Sequence, residues 1–178
     1  NMDIFVEQLV KRKRRPVDYV RIGACILAML LVIYFLPLGM GILAKAGLGF
    51  IVFAVCCALI YVLYLLVTAT NMEYEYCFTN GALDVDKIIN RRSRKRLIEM
   101  NARRIDMMAG TKTPAFDRIK QDRSIKKIYA CTGVEDADTY FIDYVDDNGK
   151  RIALVFNPNE KIRDGFKRYN PQKVLLND

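Results

Sequence analysis

The residues of this chain best suited to chemistry are cations in close succession. Lys87 to Arg104 holds eight Lys/Arg (Lys87, Arg91, Arg92, Arg94, Lys95, Arg96, Arg103, Arg104) against one acid, Glu99, for a local charge of +7. Such a segment attracts phosphates and carboxylates. Each basic group beside an anionic leaflet is worth about 1 kcal/mol within a Debye length of about 8–10 Å. On a strand, Arg92, Arg94 and Arg96 share one face; on a loop they can fan toward a bilayer. The candidate lipid- or partner-binding residues are therefore Arg91, Arg92, Arg94, Lys95, Arg96, Arg103 and Arg104. The ordinary alternative is a solvated strand and turn. An acidic counterpart follows in Glu135, Asp136, Asp138, Asp143, Asp146 and Asp147. These acids suit docking of the arginines of this molecule or a second copy, or a solvated loop and hairpin tip.

Other chemistries find few residues. The chain has no His, which removes the commonest general base. Glycines beyond residue 72 are isolated (Gly81, Gly110, Gly133, Gly149, Gly165), so no phosphate-cradling loop is present. Cys77 and Cys131 lack the spacing of a zinc site. Asp146-Asp147-Asn148-Gly149 reads as a turn more simply than as a cation site. The expectation is a non-enzymatic protein without cofactor or metal, with an enzyme built around Cys131 as the rival. Nucleic acid is disfavoured by the compensating acids and by membrane anchoring.

Anchoring comes from the elements upstream. Ala46 to Val67 runs for twenty-two residues without a charge, and Ile22 to Ala44 is uncharged as well. At about 1.5 Å per residue the first of these is about 33 Å long, enough for a hydrocarbon core of about 30 Å. A helix apolar on all sides has no face for water. Two helices are expected, over 17–38 and 46–69, with Arg21 snorkelling to the interface and Pro37, Gly39 and Gly41 forming a turn before Lys45. Cys25, Cys56 and Cys57 act there as small apolar residues. Lys11, Arg12, Lys13, Arg14 and Arg15 precede the first helix, whereas the loop carries one Lys. That asymmetry predicts a two-pass protein of a bacterial cell membrane with both termini cytoplasmic. A cleaved leader ending at Ala44-Lys45-Ala46 fits poorly, since the apolar segment is long and a second follows. Asn1 precedes Met2, where the natural chain is expected to begin. Met2 to Val10 reads as a short amphipathic helix on the headgroups or as a frayed polar leader.

The remaining part, 72–170, reads as one small β domain. Tyr74, Tyr76 and Phe78 alternate with polar residues, and Asn80-Gly81 suits a hairpin turn into Leu83 and Val85. Arg91–Arg96 leads into a third strand at Leu97-Ile98. A strand is expected near Arg104–Met108, a loop or short helix at Pro114–Gln121, and strands at Ser124–Cys131 and Tyr140–Tyr144. Asp147-Asn148-Gly149-Lys150 turns the last into Ile152–Phe156. Asn157 as N-cap, Pro158 at N1 and Glu160 at N3 predict a helix with the stripe Ile162, Phe166, Tyr169, stopped by Pro171.

Antiparallel strands closed by one amphipathic helix resemble the pleckstrin-homology-like plan. The likeness rests on the Tyr74–Leu83 hairpin, the basic Arg91–Arg96 link and the Pro158–Tyr169 helix, and it is similar to bacterial PH-like domains that follow a pair of membrane helices. The chain also resembles small two-span membrane proteins of Firmicutes. The resemblance implies the fold and a membrane setting, and brings no catalytic residue. The expected organisation is a basic cytoplasmic segment at 1–16, a two-helix transmembrane hairpin at 17–69, a cytoplasmic PH-like domain at 72–170 and a tail at 171–178. The expected function is binding of a protein partner, a second copy or anionic lipid at the cytoplasmic leaflet. The alternative is an accessory subunit of a larger membrane complex.

Overall fold

The computed structural model describes residues 4–176; the Met2 start of the expected N-terminal helix and the last two residues of the 171–178 tail lie outside the described residues. The chain forms two compact units, one of residues 14–71 and one that joins residues 1–13 to residues 72–178.

The second unit begins before the helices. Phe5–Lys11 is a strand, β1, and neither a helix nor a frayed leader. Val10 is buried on one face while Phe5, Glu7, Leu9 and Lys11 are exposed on the other. Phe5 and Leu9 are four apart, a spacing compatible with a helix turn and with period 2, and pairing with the following strand decides it. Met72–Thr79 (β2), Ala82–Ile89 (β3) and Ser93–Asn101 (β4) complete an antiparallel sheet in the order β1-β2-β3-β4. Asn80 and Gly81 have φ of 50° and 95° at the β2–β3 turn, the left-handed pair a two-residue hairpin needs. Ala102–Arg104 forms a 3₁₀ turn that leads to the other sheet.

That sheet contains Ile105–Gly110 (β5), Lys126–Ala130 (β6), Tyr140–Val145 (β7) and Arg151–Phe156 (β8) in the order β5-β7-β8-β6. β6 lies parallel to β8, the one parallel pair among the described strands. β6 also runs in the same direction as β5, and the crossover that joins those two across the sheet carries the helix over Pro114–Gln121. Its Phe116 and Ile119 pack on Ala109, Phe141 and Val155, so β7 and β8 are buried on both faces, with Asp143 a charged residue within β7.

The main core lies between the sheets and is closed by a helix at Glu160–Tyr169. Tyr76, Phe78, Leu83, Val85, Ile105, Leu154, Phe156, Ile162 and Phe166 are all fully buried there. Gly165 lets the closing helix approach: a Cβ on it would stand 2.5 Å from Phe78 Cε1. The helix is capped by Asn159, whose side chain accepts from Ile162 N at 2.9 Å, two residues later than the expected Asn157 cap. Asn157 is occupied elsewhere. Its Oδ1 accepts from Thr132 N at 2.7 Å and its Nδ2 donates to Thr139 Oγ1 at 2.9 Å.

The other unit is a pair of apolar helices, Pro16–Ala44 (α1) and Gly49–Thr68 (α2). Both are long and apolar enough to cross a membrane, and no residue of α2 is buried. Asp18 reaches back to accept from Arg15 N at 2.9 Å, so α1 starts with Pro16 in the first turn. α1 runs through Pro37 instead of turning there. Pro37 removes one N–H from the helix ladder, and helices in an apolar setting tolerate this where neighbouring groups or a local adjustment re-satisfy the freed carbonyl. The turn falls at residues 45–48, with Gly47 at φ 71°. Gly39 brings the helices together: a Cβ there would meet Val52 Cγ1 at 3.3 Å.

Candidate interaction surface at the basic hairpin

β3 and β4 are joined at Ile89–Arg92, where Arg92 N donates to Ile89 O at 3.1 Å. Asn90 and Arg91 have φ of 49° and 55°. The turn thus repeats the left-handed geometry of Asn80-Gly81, with Arg91 in the place where Gly is favoured. A non-glycine residue there costs about 1–2 kcal/mol.

Register divides the basic run. Arg91 and Arg92 occupy the turn, and Arg94, Lys95 and Arg96 begin β4. Arg103 and Arg104 lie in the 3₁₀ turn at the opposite end of this sheet, where Ala102 N donates to Gly81 O. The nine residues of β4 separate Arg91 and Arg92 from Arg103 and Arg104, a span of about 30 Å at about 3.3 Å per residue. The local charge of +7 is therefore not one patch.

Much of it is also answered from neighbouring strands. Arg94 meets Glu75 at 2.7 Å and Asp86 at 3.7 Å. Arg96 lies 3.5 Å from both Asp84 and Asp86, and 3.2 Å from Glu99. Arg91 approaches Glu73 at 3.8 Å, and Arg104 pairs with Asp147 at 2.7 Å. Arg103 stacks over Tyr169 with its guanidinium 5.4 Å from the ring centre. On this outer face, burial and then a hydrogen bond that the protonated Glu75 donates to Glu7 raise the Glu75 carboxyl above its ordinary range, while Arg94 opposes them. Burial likewise raises Asp84, against Arg96.

Arg92, Lys95 and Lys87 have no ion pair among the described residues. Lys87 and Lys95 stand directly opposite each other across β3 and β4. Lys87 follows Leu83 and Val85 on the inner face, and its partner on the other side is the buried Tyr74. Like charges facing across strands destabilise a sheet by up to about 1 kcal/mol, and an anion between them would relieve that. Lys87, Arg91, Arg92 and Lys95 make up the cationic end of the hairpin. Lys87 is the one residue of this group outside the candidates that the sequence marks, although its parity with Leu83 and Val85 fixes its face.

The same end of the sheet holds the two points where the chain passes to the helices. Met72 is opposite Ile89, which is opposite Ser93; Lys11 is opposite Glu73, and Arg12 N donates to Met72 O at 3.0 Å.

The acidic residues serve separate local contacts. Asp136 takes Lys13 Nζ at 2.8 Å and the Thr132 hydroxyl at 2.5 Å, and these two bonds, Lys13 first, hold its carboxyl below the ordinary range. Asp143 pairs with Arg151 at 2.5 Å. Asp146 accepts from Asn148 N and Lys150 N, as a turn residue does. Cys131 is buried in the apolar cluster under the crossover helix, with Phe116, Phe141 and Val155.

In comparisons with known proteins, the family described as bacterial PH-like domain (DUF6106) matches residues 2–176, through both apolar helices and both sheets. No curated protein and no solved structure matches the chain.

Proposed function

This chain belongs to the bacterial PH-like domain family, and from that premise we propose that it is a non-enzymatic, membrane-anchored binding module whose cationic hairpin end engages the anionic cytoplasmic leaflet. One observation carries the reading: Lys87, Arg91, Arg92 and Lys95 gather at the end of the sheet where the chain leaves for the apolar helices and returns. With the helices in a bilayer, that end is held near the headgroups, and each of its cations contributes about 1 kcal/mol toward an anionic surface. Tethering supplies a high effective concentration, so a weak intrinsic affinity suffices. The residues proposed to make the contact are Lys87, Arg91, Arg92 and Lys95. Arg94 and Arg96, held by Glu75, Asp84, Asp86 and Glu99, orient the hairpin instead. Cys131 packed among apolar side chains favours binding over catalysis.

The absence of Trp from the chain makes a direct test available. A Ser93→Trp variant of the full chain, reconstituted in vesicles with brominated lipids, reports the distance of the hairpin from the leaflet. Quenching is expected to be stronger in anionic than in neutral vesicles, to fall with added salt, and to fall in Arg92→Gln. Arg91→Gly is the most discriminating partner variant, because it relieves a left-handed arginine and leaves the fold sound while removing a cation. Equal quenching in neutral and anionic vesicles at every salt concentration would reject leaflet contact.

A further inference from the structure

Beyond the hairpin, the outer edge of β1 is open. The backbone groups of Ile4 and Arg12 bond toward β2 and its turn: Asn80 N donates to Ile4 O at 2.9 Å, and Arg12 N to Met72 O at 3.0 Å. Alternation then directs the N–H and C=O groups of Phe5, Glu7, Leu9 and Lys11 away from β2. The next residue of that parity, Lys13, donates its N–H to Thr132 O at 3.2 Å, so at this one point the outward edge already has a partner. Before it, the edge borders a cleft of about 720 Å³ whose other side includes Asp136, Asp138 and Pro158. Gln8 fixes the strand beside this cleft by donating to Asn157 O at 2.9 Å and accepting from Asn159 N at 2.8 Å. Phe5 and Leu9 are 63% and 57% exposed on the outer face of the same strand.

A long edge with unpaired main-chain groups and exposed apolar side chains is a template for another strand. Here it has a charge pattern as well, Glu7 and Lys11 on either side of Leu9. We propose that the β1 edge is a strand-addition site for an extended segment of a partner protein. The segment would run antiparallel and carry an acid, an apolar residue and a base at alternate positions, opposite Lys11, Leu9 and Glu7 in turn. Main-chain bonds supply the affinity and the alternating side chains the selection. The site uses a different edge of the sheet from the leaflet-facing hairpin, so either assignment can fail without the other.

β1's own sequence has the required order, Glu7-x-Leu9-x-Lys11, which supplies a probe: a fluorescein-labelled peptide IFVEQLVKR added to the full chain in nanodiscs. Saturable binding is expected, with the amides of Glu7, Leu9 and Lys11 slowed in hydrogen exchange. Leu9→Pro should weaken binding at least about tenfold, because the ring removes an outward N–H and none of the β1–β2 bonds. A peptide with Glu and Lys exchanged, IFVKQLVER, should bind the wild type poorly and bind the Glu7→Lys, Lys11→Glu double variant well. This exchange keeps the test decisive if Leu9→Pro does not fold. Absence of binding to the wild type, or affinity indifferent to both Leu9→Pro and the charge exchange, would overturn the site. A wild-type mass of two chains that drops to one in Leu9→Pro would overturn the partner assignment and give the edge to a second copy.

Discussion

Asn157 is 8% exposed and joins three segments through one amide: Thr132 N donates to its Oδ1, and its Nδ2 donates to Thr139 Oγ1. Its own N–H donates to the Tyr76 hydroxyl, which in turn donates to Ala130 O. Asn157→Ala keeps that N–H but removes the partners of Thr132 N and Thr139 Oγ1, and is expected to destabilise the fold by about 2–3 kcal/mol, read from the thermal midpoint. Glu75 governs a pH effect of opposite origin. Burial and the Glu7 hydrogen bond raise its carboxyl pKa, so the folded state holds that proton more tightly than the unfolded chain does. Stability from this group is then full below the ordinary glutamate range and declines as pH rises through the raised value. Asp122 and Asp136 are shifted down, and their contribution is lost as pH falls, in a separate window below the ordinary aspartate range. Thermal midpoints from about pH 4 to about pH 7 should therefore fall on the Glu75 account. Glu7→Gln, which replaces the neighbouring acid with an amide able to donate to Glu75, should flatten that fall.

Between elements, the decisive fact is that β1 and β2 are neighbours in the sheet and far apart in the chain. The two helices occupy the position of a hairpin turn. Lys11 stands opposite Glu73 and Arg12 bonds Met72, so Asn-Gly inserted between Arg12 and Met72 in place of residues 13–71 closes the pair with a two-residue turn. That splice is expected to give a monomeric, water-soluble domain with a cooperative thermal transition. A fragment of residues 72–178 lacks β1, uncovers the Tyr74 and Tyr76 edge and should unfold at lower temperature; equal transitions for the two proteins would mean that β1 adds nothing. Local patterns made the β2–β3 hairpin and the stripe of the closing helix legible in the sequence, because Asn-Gly geometry and apolar period are set within a few residues; at Pro114–Gln121 they left a loop and a short helix open. β1 was not, since Phe5 and Leu9 satisfy both periods. The cap was misread because Asn157 and Asn159 flank the same Pro158, and only distant Thr132 and Thr139 decide between them. The basic run looked like one site because the acids that divide it arrive by register from β2 and β3.

At the scale of the whole molecule, that insertion constrains topology. The chain departs after Lys13 and returns at Met72, and Arg12 and Met72 are hydrogen-bonded neighbours. An odd number of crossings would separate those points by the thickness of a bilayer, about 30 Å, and break the pairing. Two candidate spans, Pro16–Ile42 and Gly49–Thr68, make an even number. On the proposed reading, the cluster from Lys11 to Arg15 puts both departure and return on the cytoplasmic side and Lys45 on the other. With the five native cysteines replaced, a Lys45→Cys variant in intact cells should react with a membrane-impermeant maleimide, whereas Ser93→Cys should react only after permeabilisation. Reaction of Ser93→Cys alone before permeabilisation would invert the orientation and remove the anionic leaflet from reach of the hairpin. Reaction of both would mean that the apolar helices do not cross the membrane, and the cationic end would then need a soluble anion as its ligand.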